Sequence, residues 1–130
     1  MTKQKIVQTI KEDLAHAPDL LKTCGLVVDY LFSQPVQNLQ HITFGILSRA
    51  ANLSKKEDVI AAVQYLCGDR AGLLAPKFEF IEDDFIETIS NSDVAIARKQ
   101  GFFYHPERGE LVNDFESKIF MYFELNENLK

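Results

Sequence analysis

"ILSRAANLSKKEDVIAAVQYL", residues 46–66, is the stretch on which the fold turns. It begins with helical spacing and is interrupted at Asn52, a residue type that accepts the left-handed backbone conformation ending many helices. Ser54 and Glu57 then stand at capping-box spacing: the serine oxygen can accept from the Glu57 N–H while the glutamate reaches back to the Ser54 N–H. A new helix is therefore predicted from Lys55. It buries Val59, Ile60, Val63, Leu66 and Cys67 and ends at Gly68. Two helices joined by a tight turn result.

Reading backwards, Asn38 suits the cap of the helix that enters this turn, with Leu39, Ile42, Ile46, Leu47 and Ala50 along it. Pro35 stops an earlier helix. That one starts at Pro18, suited to a first turn, and keeps Leu20, Leu21, Cys24, Val27, Val28, Leu31 and Phe32 in register. Residues 3–15 form a first amphipathic helix with Ile6, Val7, Ile10 and Leu14 on one face.

Reading forwards, the period changes. "KFEFIEDDFIETI", residues 77–89, puts Phe78 and Phe80 two apart and predicts a β-hairpin turning at Glu82, Asp83 and Asp84. Ser90 or Ser92 then caps a helix that faces Val94 and Ala97 inward and ends at Gly101. Phe102 to Tyr104 reads as extended, and Pro106 to Gly109 as a turn. A last helix is expected from Asn113 and Glu116, with Phe115, Ile119, Tyr122 and Phe123 on one side.

Three helices, a tight turn and then a hairpin resemble a winged helix-turn-helix. The resemblance rests on residues 46–66 and on "GLLAPKFEFIEDDFIETIS", residues 72–90. Ala50 and Ala51 supply small side chains before the turn, and Leu53 an apolar plug for its corner. The expected fold is thus α+β and mainly helical, a single domain over 1–130. Its winged-helix-like core spans residues 39–90, with flanking helices in 1–34 and 91–130. The resemblance implies that the 55–67 helix enters a DNA major groove and that the hairpin lies on the backbone. Gln64 would then read a base, and Arg49, Lys55, Lys56 and Lys77 would hold phosphates.

Charge argues the other way. The net charge of −5 is uneven: residues 39–78 carry five bases and three acids, residues 79–130 five bases and twelve acids. Glu79, Glu82, Asp83, Asp84 and Glu87 make the wing acidic where a phosphate backbone would meet it. The favoured expectation is a non-enzymatic protein-binding or adaptor module, offering Glu82, Asp83 and Asp84 to a basic partner. Phe120 and Met121 lie off the stripe of the last helix and suggest a second contact, within a dimer or a larger assembly. A DNA-binding regulator is the competing class.

Chemistry is sparse. Cys24 and Cys67 sit in apolar helical patterns and read as reduced, buried thiols of a cytoplasmic protein. The glycines, at 25, 45, 68, 72, 101 and 109, form no phosphate loop. His105, with Glu107 and Glu110 nearby, could serve an acid–base pair, but every member of that stretch also has a place in a turn. No catalytic residue, metal ligand or cofactor is assigned, and no membrane span is expected.

Overall fold

The computed structural model describes residues 2–52 and 54–126. The chain is α+β and mainly helical. Its elements are α1 (Lys3–Asp13), α2 (Pro18–Ser33), a 3₁₀ turn (Val36–Leu39), α3 (Phe44–Ala50), α4 (Lys56–Cys67), β1 (Leu74–Glu82), β2 (Phe85–Ile89), α5 (Asn91–Gln100), a second 3₁₀ turn (Phe115–Ser117) and β3 (Ile119–Leu125). The sequence α2, α3, α4, β1, β2 has the winged-helix-like order. The strands form one sheet in the order β2-β1-β3. The chain divides into two units: residues 1–76 with 123–130, and residues 77–122.

In the first unit α2 is the central rod and packs against α1, α3 and α4. Val27, Val28 and Leu31 of α2 meet Ile6 and Ile10 of α1, Leu47 of α3, and Val59, Val63 and Leu66 of α4 in one aliphatic core. Thr2 caps α1 by accepting the Lys5 N–H, and Pro18 stands at the first position of α2.

Three local expectations give way here. The third helix starts not after Asn38 but after Thr43, whose hydroxyl accepts from the Ile46 N–H. Leu39 and Ile42 are buried, but neither belongs to an α-helix. The N–H and C=O of Ile42 both bond to Phe123 at 2.7 Å, so this segment pairs as strand. The Ser54–Glu57 box does not form. Ser54 donates to the Ala51 carbonyl at 2.8 Å and lies 2.9 Å from the Thr23 hydroxyl, while Lys55 is the residue before α4. Asn52 does adopt a positive φ of 55°. Leu53 lies outside the described residues. On α4 the buried face is Val59, Ala62, Val63 and Leu66, the i, i+3, i+4, i+7 set, which leaves Ile60 40% exposed rather than buried.

In the second unit the hairpin pairs Phe78 with Ile89, Phe80 with Glu87 and Glu82 with Phe85, as two antiparallel strands around Asp83 and Asp84. Asp83 takes a φ of 53° at the tip. Ser90 caps α5 through the Asp93 N–H, and Gly101 closes it at φ 87°. Phe102 to Tyr104 is extended and folds back on residues 110–112: Val112 donates to the Phe103 carbonyl and His105 to that of Glu110. The core here is aromatic. Phe78, Phe80 and Phe103 are buried with Ile89, Val94, Ala97 and Ile119, and Phe85 and Phe115 pack on them.

The expected last helix is a correction. Asp114 sits at φ 54°, which interrupts any helix through it, and after one 3₁₀ turn the chain becomes β3. "IFMYFEL" is rich in aromatic and β-branched residues, which suit a pleated strand. The Ile81 N–H supplies the pairing, donating to the Lys118 carbonyl at 2.8 Å.

Candidate binding surfaces

The first unit presents the exposed side of α4. Arg49 near the end of α3, Lys55 before α4, and Lys56 and Gln64 along it are all exposed. Glu57 and Asp58 occupy the same first turn as the two lysines, where acids favour the helix dipole and offset the positive charge. Asp19 and Asp58 line one recess with Lys22 and Lys55, so the bases there sit among carboxylates. Lys77, grouped with them from the sequence, belongs to β1 in the second unit and is half-buried. On the same helix Ala62 is fully buried and Tyr65 half-buried.

Tyr65 is held by a cluster that the sequence did not disclose. Its hydroxyl donates to Asp13 Oδ2, while Arg70 grips both oxygens of the same carboxylate, at 2.9 and 3.2 Å. The hydrogen bond from Arg70, then that from Tyr65, holds the Asp13 carboxyl below its ordinary range. Burial and the acceptor beneath it push the Tyr65 hydroxyl up. The cluster ties the end of α1 to the α4 region and is a structural clamp.

The second unit presents the hairpin tip. Asp83 and Asp84 are both exposed, as expected. Glu82 is different. Its carboxylate lies between Lys118, at 2.9 Å on Oε2, and Arg108, on Oε1. The Lys118 ammonium foremost, then the Arg108 charge, keeps Glu82 below the usual carboxylate range. Of the three acids expected at the tip, two face solvent and one is engaged within the unit.

His105 lies beneath this tip, 4% exposed. Its Nδ1 accepts two backbone hydrogen bonds, from Glu107 at 3.1 Å and Arg108 at 3.0 Å. Phe80 meets its ring edge-on at 5.2 Å and Phe85 tilts against it at 4.7 Å. With Nδ1 accepting, the neutral ring carries its proton on Nε2, which lies 3.8 Å from Glu82 Oε1. The neutral ring therefore has no lone pair to offer a substrate or a metal. The loop is a turn pinned by an imidazole: Gly109, at φ 71°, donates back to the His105 carbonyl. Among the described residues no three of His, Cys, Asp and Glu converge as a metal site.

Apolar side chains are exposed on the sheet. Phe120 is 47% and Met121 48% exposed on β3, and Ile86 62% exposed on β2. Phe120 and Met121 are surface residues as expected, but from a strand. Cys24 and Cys67 are free thiols. Burial pushes Cys24 up to about 12 and raises Cys67 as well. No helix among the described residues is long and apolar enough to cross a membrane. No protein-family model, curated protein or solved structure matches the chain.

Proposed function

We propose that the protein is a non-enzymatic, winged-helix-like binding module that contacts a basic protein partner through its second unit, as an adaptor or assembly subunit. The observation that carries this reading is the segregation of charge. Residues 77–122 hold ten acids and five bases, a net of −5, whereas the other unit holds nine of each. The acidic unit also exposes Ile86 on β2, Phe120 and Met121 on β3, and the unengaged Asp83 and Asp84. Exposed apolar side chains on a unit of net negative charge suit a partner surface of opposite sign. Two free thiols, Cys24 buried and Cys67 half-buried, accord with a reducing cytoplasm.

DNA binding through α4 is the second reading, favoured by the exposure of Arg49, Lys55, Lys56 and Gln64 together. Weighing against it are Glu57 and Asp58 in the same turn and the acidic charge of the hairpin, which a phosphate backbone would repel. One pair of experiments separates the two. A photocrosslinking residue placed at Phe120 is expected to trap a protein in the cells that make this chain, and one at Gln64 to trap none. Binding to mixed-sequence duplex DNA is expected to be weak and indifferent to the double change Lys55→Glu, Lys56→Glu. Steeply salt-dependent binding lost in that double variant would replace the protein-binding reading with the regulator.

A further inference from the structure

The outer edge of β2 is a row of backbone hydrogen-bonding groups that point away from the sheet. Ile81 gives its N–H to Lys118, so this residue of β1 bonds toward β3. Its neighbour across the hairpin, Ile86, is therefore in a non-hydrogen-bonded pair, and Thr88 opposite Glu79 is in another. Phe85, Glu87 and Ile89 bond to β1, while Ile86 and Thr88 direct their N–H and C=O outward. β2 is an edge strand of the sheet, and no described residue bonds to those outward groups. Edges are usually blunted by a proline, a lysine or a covering segment. "FIETI" carries neither residue, and Ile86 is 62% exposed on it. It does carry Glu87 between the two outward-bonding residues, with Asp83 and Asp84 just before it; all three acids are exposed and have no described partner.

We infer that this edge accepts an extended segment of the partner protein whose residues alternate between apolar and basic. The inference rests on the protein-binding reading above and names its mode. The backbone groups of Ile86 and Thr88 pair with the added strand. The pleat then places one partner residue beside Glu87 on one face of the sheet, and the residues flanking it beside Ile86 and Thr88 on the other. A lysine or arginine suits the first place and an apolar residue the second. A second copy of this chain suits the edge less well. In the two-fold register of full overlap, the Glu87 carboxylates of the two copies stand directly opposite, and like charges there are destabilising. An acidic segment meets the same repulsion.

The test uses the full chain, isotope-labelled, titrated with the capped peptide TKVKVKT and with its counterpart TEVEVET. The lysine peptide is expected to slow amide exchange at Ile86 and Thr88, and the glutamate peptide to bind about five-fold more weakly or less. Thr88→Pro removes an outward N–H but no bond to β1, so it is expected to abolish binding with the hairpin intact. Glu87→Lys is expected to invert the preference between the peptides. Unchanged exchange at Ile86 and Thr88 with saturating lysine peptide overturns the inference, as does binding indifferent to both variants. So does a dimer in light scattering that Thr88→Pro dissociates, since a second copy would then be the occupant. A protein trapped at Phe120 with no effect at the β2 edge removes this inference alone and leaves the protein-binding reading standing.

Discussion

The two units solve the packing problem with different materials. The first fills its core with Ile, Leu and Val from helix faces and carries no net charge. The second has short elements and fills its core with rings from the hairpin, from Phe103 and from Phe115, beside Val94 and Ala97 of α5, under an excess of acids. Helices satisfy their own backbones, so aliphatic stripes suffice to bring them together. Short strands and turns leave more groups to satisfy, and here side chains supply the partners: His105 serves two loop N–H groups, and Glu82 collects two cations. The acidic unit is thus both the one built from more specific contacts and the one offering a charged surface.

The contrast is broken most directly at Phe80, which is fully buried and touches Phe85, Phe103 and His105. Phe80→Ala is expected to cost about 3–5 kcal/mol. Denaturant unfolding followed by hydrogen exchange should show residues 77–122 losing protection before α1 to α4 do. Simultaneous loss would mean that the two units unfold as one.

His105 sharpens the comparison. His105→Ala removes ring packing and leaves two N–H groups without their acceptor, at a cost of about 2–4 kcal/mol. His105→Asn keeps an oxygen near the Nδ1 position and should recover part of that loss in thermal melts, with the turn amides still protected. Equal losses in both variants would show that the ring's packing, not its acceptor, holds the turn.

Gly109 is expected to matter less. Its φ is 71°, and a methyl group on its Cα would meet nothing within 4 Å. Gly109→Ala therefore encounters backbone strain alone, about 1–2 kcal/mol. A circular-dichroism melt measures it.

The smallest effect concerns acid. Asp13 in the first unit and Glu82 in the second both have folded pKa values below their unfolded ones. Each contributes stability that is present above the unfolded carboxylate pKa and is lost as pH falls through the folded value. Stability should therefore decline below about pH 4. Asp13→Asn should flatten that decline in the helical unit and leave it in the other, as read by exchange at low pH.

Legibility in the sequence follows the same division. α1, α2, α4 and α5 could be read because their apolar residues recur at helical spacing and their ends carry Pro18, Gly68 and Gly101. The hairpin was legible from alternating phenylalanines around Asp83 and Asp84. β3 was not: Ile119, Tyr122 and Phe123 fit a helical stripe, and only the strand partner at Ile81 decides otherwise. Ile42 was lost for the same reason, since its partner Phe123 is remote in sequence. Ser54 had the spacing of a cap, but Thr23 and Ala51 take up its hydroxyl. At the surfaces, the exposure of Lys55, Lys56, Asp83, Asp84 and Phe120 could be foreseen from charge and pattern. The engagement of Glu82 by Arg108 and Lys118 could not, because nothing local marks cations so far along the chain as its partners.

The bridge between Ile42 and Phe123 has a bearing on synthesis. The helical unit has this backbone partner encoded after the whole of the acidic one. While the chain emerges from the ribosome, α1 to α4 can collapse early, yet the Ile42 segment must wait until the intervening hairpin and α5 have been made. Completion of the earlier-born unit is thereby timed by the translation of β3.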